Sequence, residues 1–202
     1  MSSIRVGLRA ALALAAALFV SACFPPTTRT PLGSTVGFKS DPALNGMWRG
    51  QNSDKDAPGF IGFVKNADDT MTAVMVSPGL NNDAGEWETF ALKLATLGGK
   101  HYMTAHATFA KDKAVKSGDD DAIGDIILYY RVQRKTLALY FADEKKLAAI
   151  VKAGKLHGTV SDDTSSPDVA LTSDGPELDK FFASPAAAAL FVKPAVTMTR
   201  VE

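Results

Sequence analysis

The sequence predicts a mainly β fold, bordering on α+β: an antiparallel up-and-down β-barrel or strongly curled sheet with two short helices. Three observations carry that prediction. Past Leu44, short apolar stretches recur between Gly, Asn and Asp punctuation. Within several of them apolar and polar residues alternate with the period of a strand that buries one face. The stretches also follow one another through near-neighbour turns, which favours a meander over a Greek key, and closure would remove the exposed edges.

The strands read in order as 46–51, 59–66, 70–77, 86–95, 101–109, 123–133 and 136–141, followed by 156–161, 169–172 and 195–201. Phe90, Leu92 and Leu94 share one face of their strand. Ile126, Leu128, Tyr130 and Val132 share a face of the next long one, with Leu137, Leu139 and Phe141 across a tight turn at Gln133-Arg134-Lys135-Thr136. Each of these strands is expected to have one face in and one face out. Asp143 is placed to cap a helix over 144–153 that ends at Gly154, with Leu147, Ile150 and Val151 at helical spacing. A second helix over 176–183 follows Asp174 and stops before Ser184-Pro185.

Composition bounds the functional classes. The chain has 202 residues, with 22 Lys+Arg against 22 Asp+Glu. Loss of residues 1–22 would remove Arg5 and Arg9 and leave the acidic groups two ahead. Without a basic surplus, nucleic acid is not an expected partner. The only cysteine, Cys23, can form no disulfide within the chain, so stability must come from an apolar core.

Residues 1–22 have the order of a secretory signal peptide: a basic start, an apolar run from Ala10 to Val20, then small residues. The run is too short to span a bilayer, which takes ~20 apolar residues. Val20-Ser21-Ala22-Cys23 resembles the lipobox of bacterial lipoproteins. That resemblance implies cleavage before Cys23 and acylation of its thiol, making the membrane a partner. Phe24 in the next position implies the outer membrane, facing the periplasm, as the location. Residues 24–42, rich in Pro, Thr, Ser and Gly, read as a flexible tether of up to about 55 Å. The expected division is thus 1–22 signal peptide, 23–42 lipidated N-terminus and tether, and 43–202 a single β-rich domain.

Gly46-Met47-Trp48 at the head of the first strand is similar to the Gly-x-Trp signature of lipocalins (calycin-like barrels). The resemblance implies that Trp48 closes one end of a barrel and that Arg200, from the last strand, stacks over it. It also implies a barrel interior that holds a small apolar or amphipathic ligand, and Phe90, Leu92, Tyr130, Leu139 and Phe141 are the candidates to line it. The sequence departs from the family in lacking its Thr-Asp-Tyr motif, in the helix at 144–153 and in having more than eight strands.

Residues able to carry chemistry are sparse. His101 is expected to share a face with Met103, Ala105 and Phe109, and His106 to lie on the opposite face with Tyr102 and Thr104, so the two do not converge on a metal. His157 is read as outward-facing. Asp119-Asp120-Asp121, with Lys111, Lys113 and Lys116 upstream, reads as a solvated loop, and Asn81-Asn82-Asp83 as turn chemistry. No nucleophile elbow or phosphate-binding glycine loop is present. The expectation is a non-enzymatic, cofactor-free and metal-free module that binds a small apolar ligand. The alternative is an accessory subunit of an envelope assembly. A filled barrel with an exposed aromatic patch around Trp87 would favour the alternative, and a cavity opening at one end would favour the ligand.

Overall fold

The computed structural model describes residues 25–50, 59–77, 85–110, 113–114, 124–163 and 165–202. Residues 1–22, read as a signal peptide, together with Cys23, Asn81-Asn82-Asp83 and Asp119-Asp120-Asp121, lie outside them.

In chain order the strands are β1 (Thr27–Thr28), β2 (Gly46–Gly50), β3 (Phe60–Lys65), β4 (Met71–Ser77), β5 (Glu86–Leu97), β6 (Lys100–Ala110), β7 (Lys113–Ala114), β8 (Asp125–Gln133), β9 (Thr136–Phe141), β10 (Gly158–Val160), β11 (Val169–Leu171) and β12 (Val196–Arg200). Eight of them close into an antiparallel barrel in the order β2-β3-β4-β5-β6-β8-β9-β12, and β12 returns to pair with β2. The additional strands that set this sequence apart from an eight-stranded pattern lie off the barrel. β1 pairs with the start of β8 and, on its other side, with β11, which pairs with β10. β7 adds a short flap to the end of β6.

The barrel has two distinguishable ends. β2 starts and β12 stops at the end marked by Trp48, where hairpins join β3 to β4, β5 to β6 and β8 to β9. The β5–β6 turn is Gly98-Gly99, with φ of +56° and +74°. Such a two-residue turn matches the twist of the flanking strands, and only glycine adopts both angles freely. A side chain at Gly98 would also run into the Ala183 carbonyl. β9 stops at the opposite end, marked by Phe141.

Inward residues form one core: Leu44, Trp48, Phe63, Met71, Leu92, Leu94, Met103, Leu128, Tyr130, Leu137, Leu139 and Met198 are buried there. A second core lies outside the barrel wall. Tyr102, Ile127, Ala138 and Tyr140 point outward from β6, β8 and β9, yet they are buried beneath α1 (Glu144–Lys152), α2 (Gly175–Ala183) and α3 (Pro185–Ala188). This arc of wall is therefore apolar on both faces, which corrects the expectation of one face in and one face out. Tyr102 illustrates the packing. Its hydroxyl donates to the Phe182 carbonyl at 3.1 Å, and its ring meets Phe182 edge-on at 5.5 Å.

Asp143 caps α1 by accepting from the Lys146 amide at 3.0 Å, and Asp174 caps α2 through the Glu177 amide at 2.9 Å. The third helix, α3, was not expected. Pro185 opens it, where a missing amide proton costs nothing.

A bulge separates β6 from its predicted facing. Phe90 pairs with Ala107 and Thr89 with Phe109, so Thr108 is the extra residue. One inserted residue reverses facing beyond it. Phe109 thus leaves the face of Met103 and Ala105 and stacks outside on Trp87, with ring centroids 4.4 Å apart.

The stretch read as a flexible tether is built into the domain from Pro25 onward. β9 stops opposite Leu128, which leaves Asp125 and Ile126 of β8 for β1 to pair with. Leu32 is fully buried, and its amide donates to Thr104 Oγ1 at 3.1 Å. The buried carboxylate of Asp179 accepts from the Gly33 amide at 2.6 Å and from the amide and hydroxyl of Thr35 at 2.9 and 2.5 Å. The prolines had suggested a spacer, but a free sheet edge and one deeply buried leucine fasten the segment.

Asp179→Ala strands the buried Gly33 amide, at a cost of about 1–3 kcal/mol, and releases the exposed Thr35 to solvent. Amide exchange at Leu32, Gly33 and Thr35 is expected to accelerate before that of the barrel strands. Unchanged exchange there would refute the clamp. Trp48→Ala is expected to lower stability by about 3–5 kcal/mol, and Trp87→Ala, at a site 42% exposed, by far less. Equal small losses in urea unfolding would count against the role given to Trp48.

Candidate functional site

The Trp48 end is capped from within. Trp48 is fully buried, and its Nε1–H donates to the Leu44 carbonyl at 2.7 Å. The Arg200 guanidinium stands 4.5 Å from the indole centroid. Its Nη1 donates to the Asn45 carbonyl at 2.6 Å, and its Nη2 donates to the Ala43 carbonyl. Gly46 has a φ of +117°, and a β-carbon there would sit 3.2 Å from Arg200 Nη1. Glycine is thus required at this position by backbone conformation and by the closeness of the cation.

The five candidate lining residues all face the interior, but the fold does not gather them at one place. Tyr130 belongs to the capped end, where its hydroxyl donates to Asp41 Oδ2 at 3.0 Å. Burial pushes the Tyr130 phenol well above the usual tyrosine range, and the neighbouring charge of Asp41 adds to the effect. Leu92 and Leu139 are buried in the packed middle. Phe90 and Phe141 are only half-buried.

Phe90 and Phe141 belong to a cluster of half-buried inward residues toward the Phe141 end, together with Ile61, Ile126 and Val196. Glu88 joins them on the inner face and is itself buried. It precedes Phe90 by two residues and pairs with Met75 on β4. The alternation that placed Phe90, Leu92 and Leu94 inward extends back to Glu88 and could have found it. An apolar wall of this kind suits the tail of an amphipathic molecule.

The histidines are engaged separately. His101 Nδ1 lies 3.1 Å from Thr96 Oγ1, His106 Nδ1 lies 2.7 Å from Asp125 Oδ1, and His157 Nε2 lies 3.7 Å from Glu177 Oε1. Among the described residues, no three His, Cys, Asp or Glu side chains are grouped to hold a metal ion.

The two buried tyrosines predict an alkaline limit to stability. Burial raises the pKa of Tyr102 as it does that of Tyr130, with Tyr129 adding to the shift at Tyr102. The folded state therefore holds these protons more tightly than the unfolded chain. Their contribution is complete below the ordinary tyrosine pKa of about 10 and is lost as pH rises beyond it, by up to about 1.4 kcal/mol per pH unit for each group. Urea unfolding between pH 8 and 11 should show a decline that Tyr102→Phe and Tyr130→Phe both lessen. An equally steep decline in the double variant would contradict this assignment. Comparison with protein-family models, curated proteins and solved structures finds no match.

Proposed function

We propose that this protein is a lipid-anchored binding module whose barrel takes the apolar part of a small amphipathic molecule at its Phe141 end. The observation that carries this reading is the contrast between the two ends. Among the described residues, Leu44, Trp48 and Arg200 pack over one end, where Val132 alone of this cluster is half-buried, whereas toward the other Ile61, Phe90, Ile126, Phe141 and Val196 are half-buried beside Glu88. Barrels of eight strands are wide enough either to fill with side chains or to hold one small ligand. Here the middle is filled, which directs a ligand to the Phe141 end. In this reading Cys23 carries the acyl chains, and the module belongs to the periplasmic face of an outer membrane. It works by binding, with no catalytic step.

The packed middle and the exposed aromatic patch, with Trp87 42% exposed and stacked on Phe109, favour a second reading, an accessory subunit of an envelope assembly that uses its outer surface. Native mass spectrometry with lipid extraction, applied to the full chain purified from its membrane, separates the two. The binding reading expects a co-purifying amphipathic molecule near one-to-one stoichiometry, with occupancy reduced in Phe90→Ala and Phe141→Ala. A clean apo mass, together with no uptake of a fluorescent fatty acid, would reject binding and favour the accessory role. Separately, Cys23→Ser is expected to abolish incorporation of labelled palmitate. Continued incorporation would remove Cys23 as the anchor.

A further inference from the structure

We infer that the Phe141 end of the barrel is seated directly on the lipid bilayer. The inference rests on the reading of Cys23 as acylated, and two separate features of the fold place the membrane at this end.

The first is the length and position of the leash. The Pro26 carbonyl accepts from the Ile127 amide at 3.3 Å, and Thr27 pairs with Ile126. The chain is therefore fastened to the first residues of β8, next to the point where β9 stops. Cys23 is two residues before Pro25, and two residues of chain reach at most about 7 Å. Acyl chains on Cys23 would begin within that distance of the domain, at the Phe141 end. A domain held so closely cannot stand off from the bilayer.

The second is a set of apolar side chains on the outer wall at the same end. Val76, at the end of β4, pairs with Phe60 on one side and Trp87 on the other, and Phe109 stacks on Trp87. Val76 is 43% exposed and Trp87 42%. An indole ring belongs at the headgroup level of a bilayer, where an apolar body meets a polar tip, and the neighbouring Phe109 and Val76 add apolar surface beside it. The β6 bulge puts Phe109 in this set. The cluster lies on β3 to β6 and the leash enters at β8, so two arcs of the same rim touch the membrane. Two contacts fix the tilt as well as the distance.

Trp48 is fully buried inside the barrel and Trp87 is 42% exposed on its outer wall at the Phe141 end, so the chain's two tryptophans provide the test. The full acylated chain is reconstituted into phosphatidylethanolamine and phosphatidylglycerol vesicles containing dibrominated phosphatidylcholine, which quenches indoles at the interface. The wild type should lose the Trp87 share of its emission. Trp87→Phe, a surface change that leaves Trp48 as the reporter, should lose none. Acylation is read independently from the mass of the N-terminal peptide. An acylated chain with unquenched Trp87 overturns the seating and leaves the anchor reading intact, as does quenching that persists in Trp87→Phe. An unacylated Cys23 removes the anchor reading and the seating with it. Protection of Trp87 from iodide in native membranes, without quenching by brominated lipid, would place a protein on the cluster and also overturn the seating.

Discussion

Arg200 holds together two parts of the chain that lie far apart in sequence. β12 pairs with β9 through Val196 to Thr199 and with β2 through Met198 to Arg200, and only that double pairing turns a curled sheet into a barrel. Such a seam is entropically slow to form, because its contacts reward the chain only after nearly all of it has been ordered. What secures it is concentrated in a few atoms. The guanidinium stacks on Trp48 and satisfies the carbonyls of Ala43 and Asn45 just before β2 begins. The same loop presents Leu44 to the interior, provides the acceptor for Trp48 and positions Asp41 for Tyr130. Closure of the seam and capping of the barrel are thus one event.

Closure alone buries a narrow interior, and the second core explains how the domain gains the rest of its apolar contact. The wall formed by β6, β8 and β9 is used twice: inward by Met103, Leu128 and Leu139, and outward by Tyr102, Ile127 and Tyr140. The helices cannot complete the outer layer without the N-terminal segment, since Leu32 belongs to it and Asp179 of α2 is satisfied by Gly33 and Thr35. A carboxylate buried without those donors would be strongly unfavourable. The segment and the helix therefore stabilise each other.

What the sequence made legible followed from local periodicity. The strand positions, the Arg134-Lys135 turn, the two capped helices and the inward placement of residues such as Leu92 and Leu139 were all readable from alternation and punctuation. What escaped depended on pairing partners. β1 is two residues long and has no period of its own; only the free edge of β8 makes it a strand. The bulge at Thr108 leaves no mark in composition, yet it moves Phe109 to the other face. A signal for the two-sided wall was present in Ile126-Ile127-Leu128-Tyr129-Tyr130, a continuous apolar run of the kind that marks burial on both faces. Of the candidate site, the inward facing was legible. The division between packed middle and half-buried end was not, because it depends on how the whole barrel fills.

That division acquires meaning from where the chain enters the fold. With a loose tether, the orientation of the barrel relative to a membrane would be arbitrary, and an amphipathic ligand would have to cross water to reach it. Each methylene exposed on such a journey costs about 0.8 kcal/mol, a severe penalty for an acyl chain. With the segment after Pro25 fastened to β8, an anchor at Cys23 would hold the Phe141 end against the bilayer and the stoppered Trp48 end away from it. Ile61, Phe90, Ile126, Phe141 and Val196 would then face the phase in which an apolar tail already resides, and Glu88 would stand near the level of the headgroups. With Cys23 as anchor, the short leash and the asymmetric filling of the barrel would serve the same end. A binding site that opens toward lipid needs no deep cavity, because the bilayer solvates whatever part of the ligand the barrel leaves uncovered.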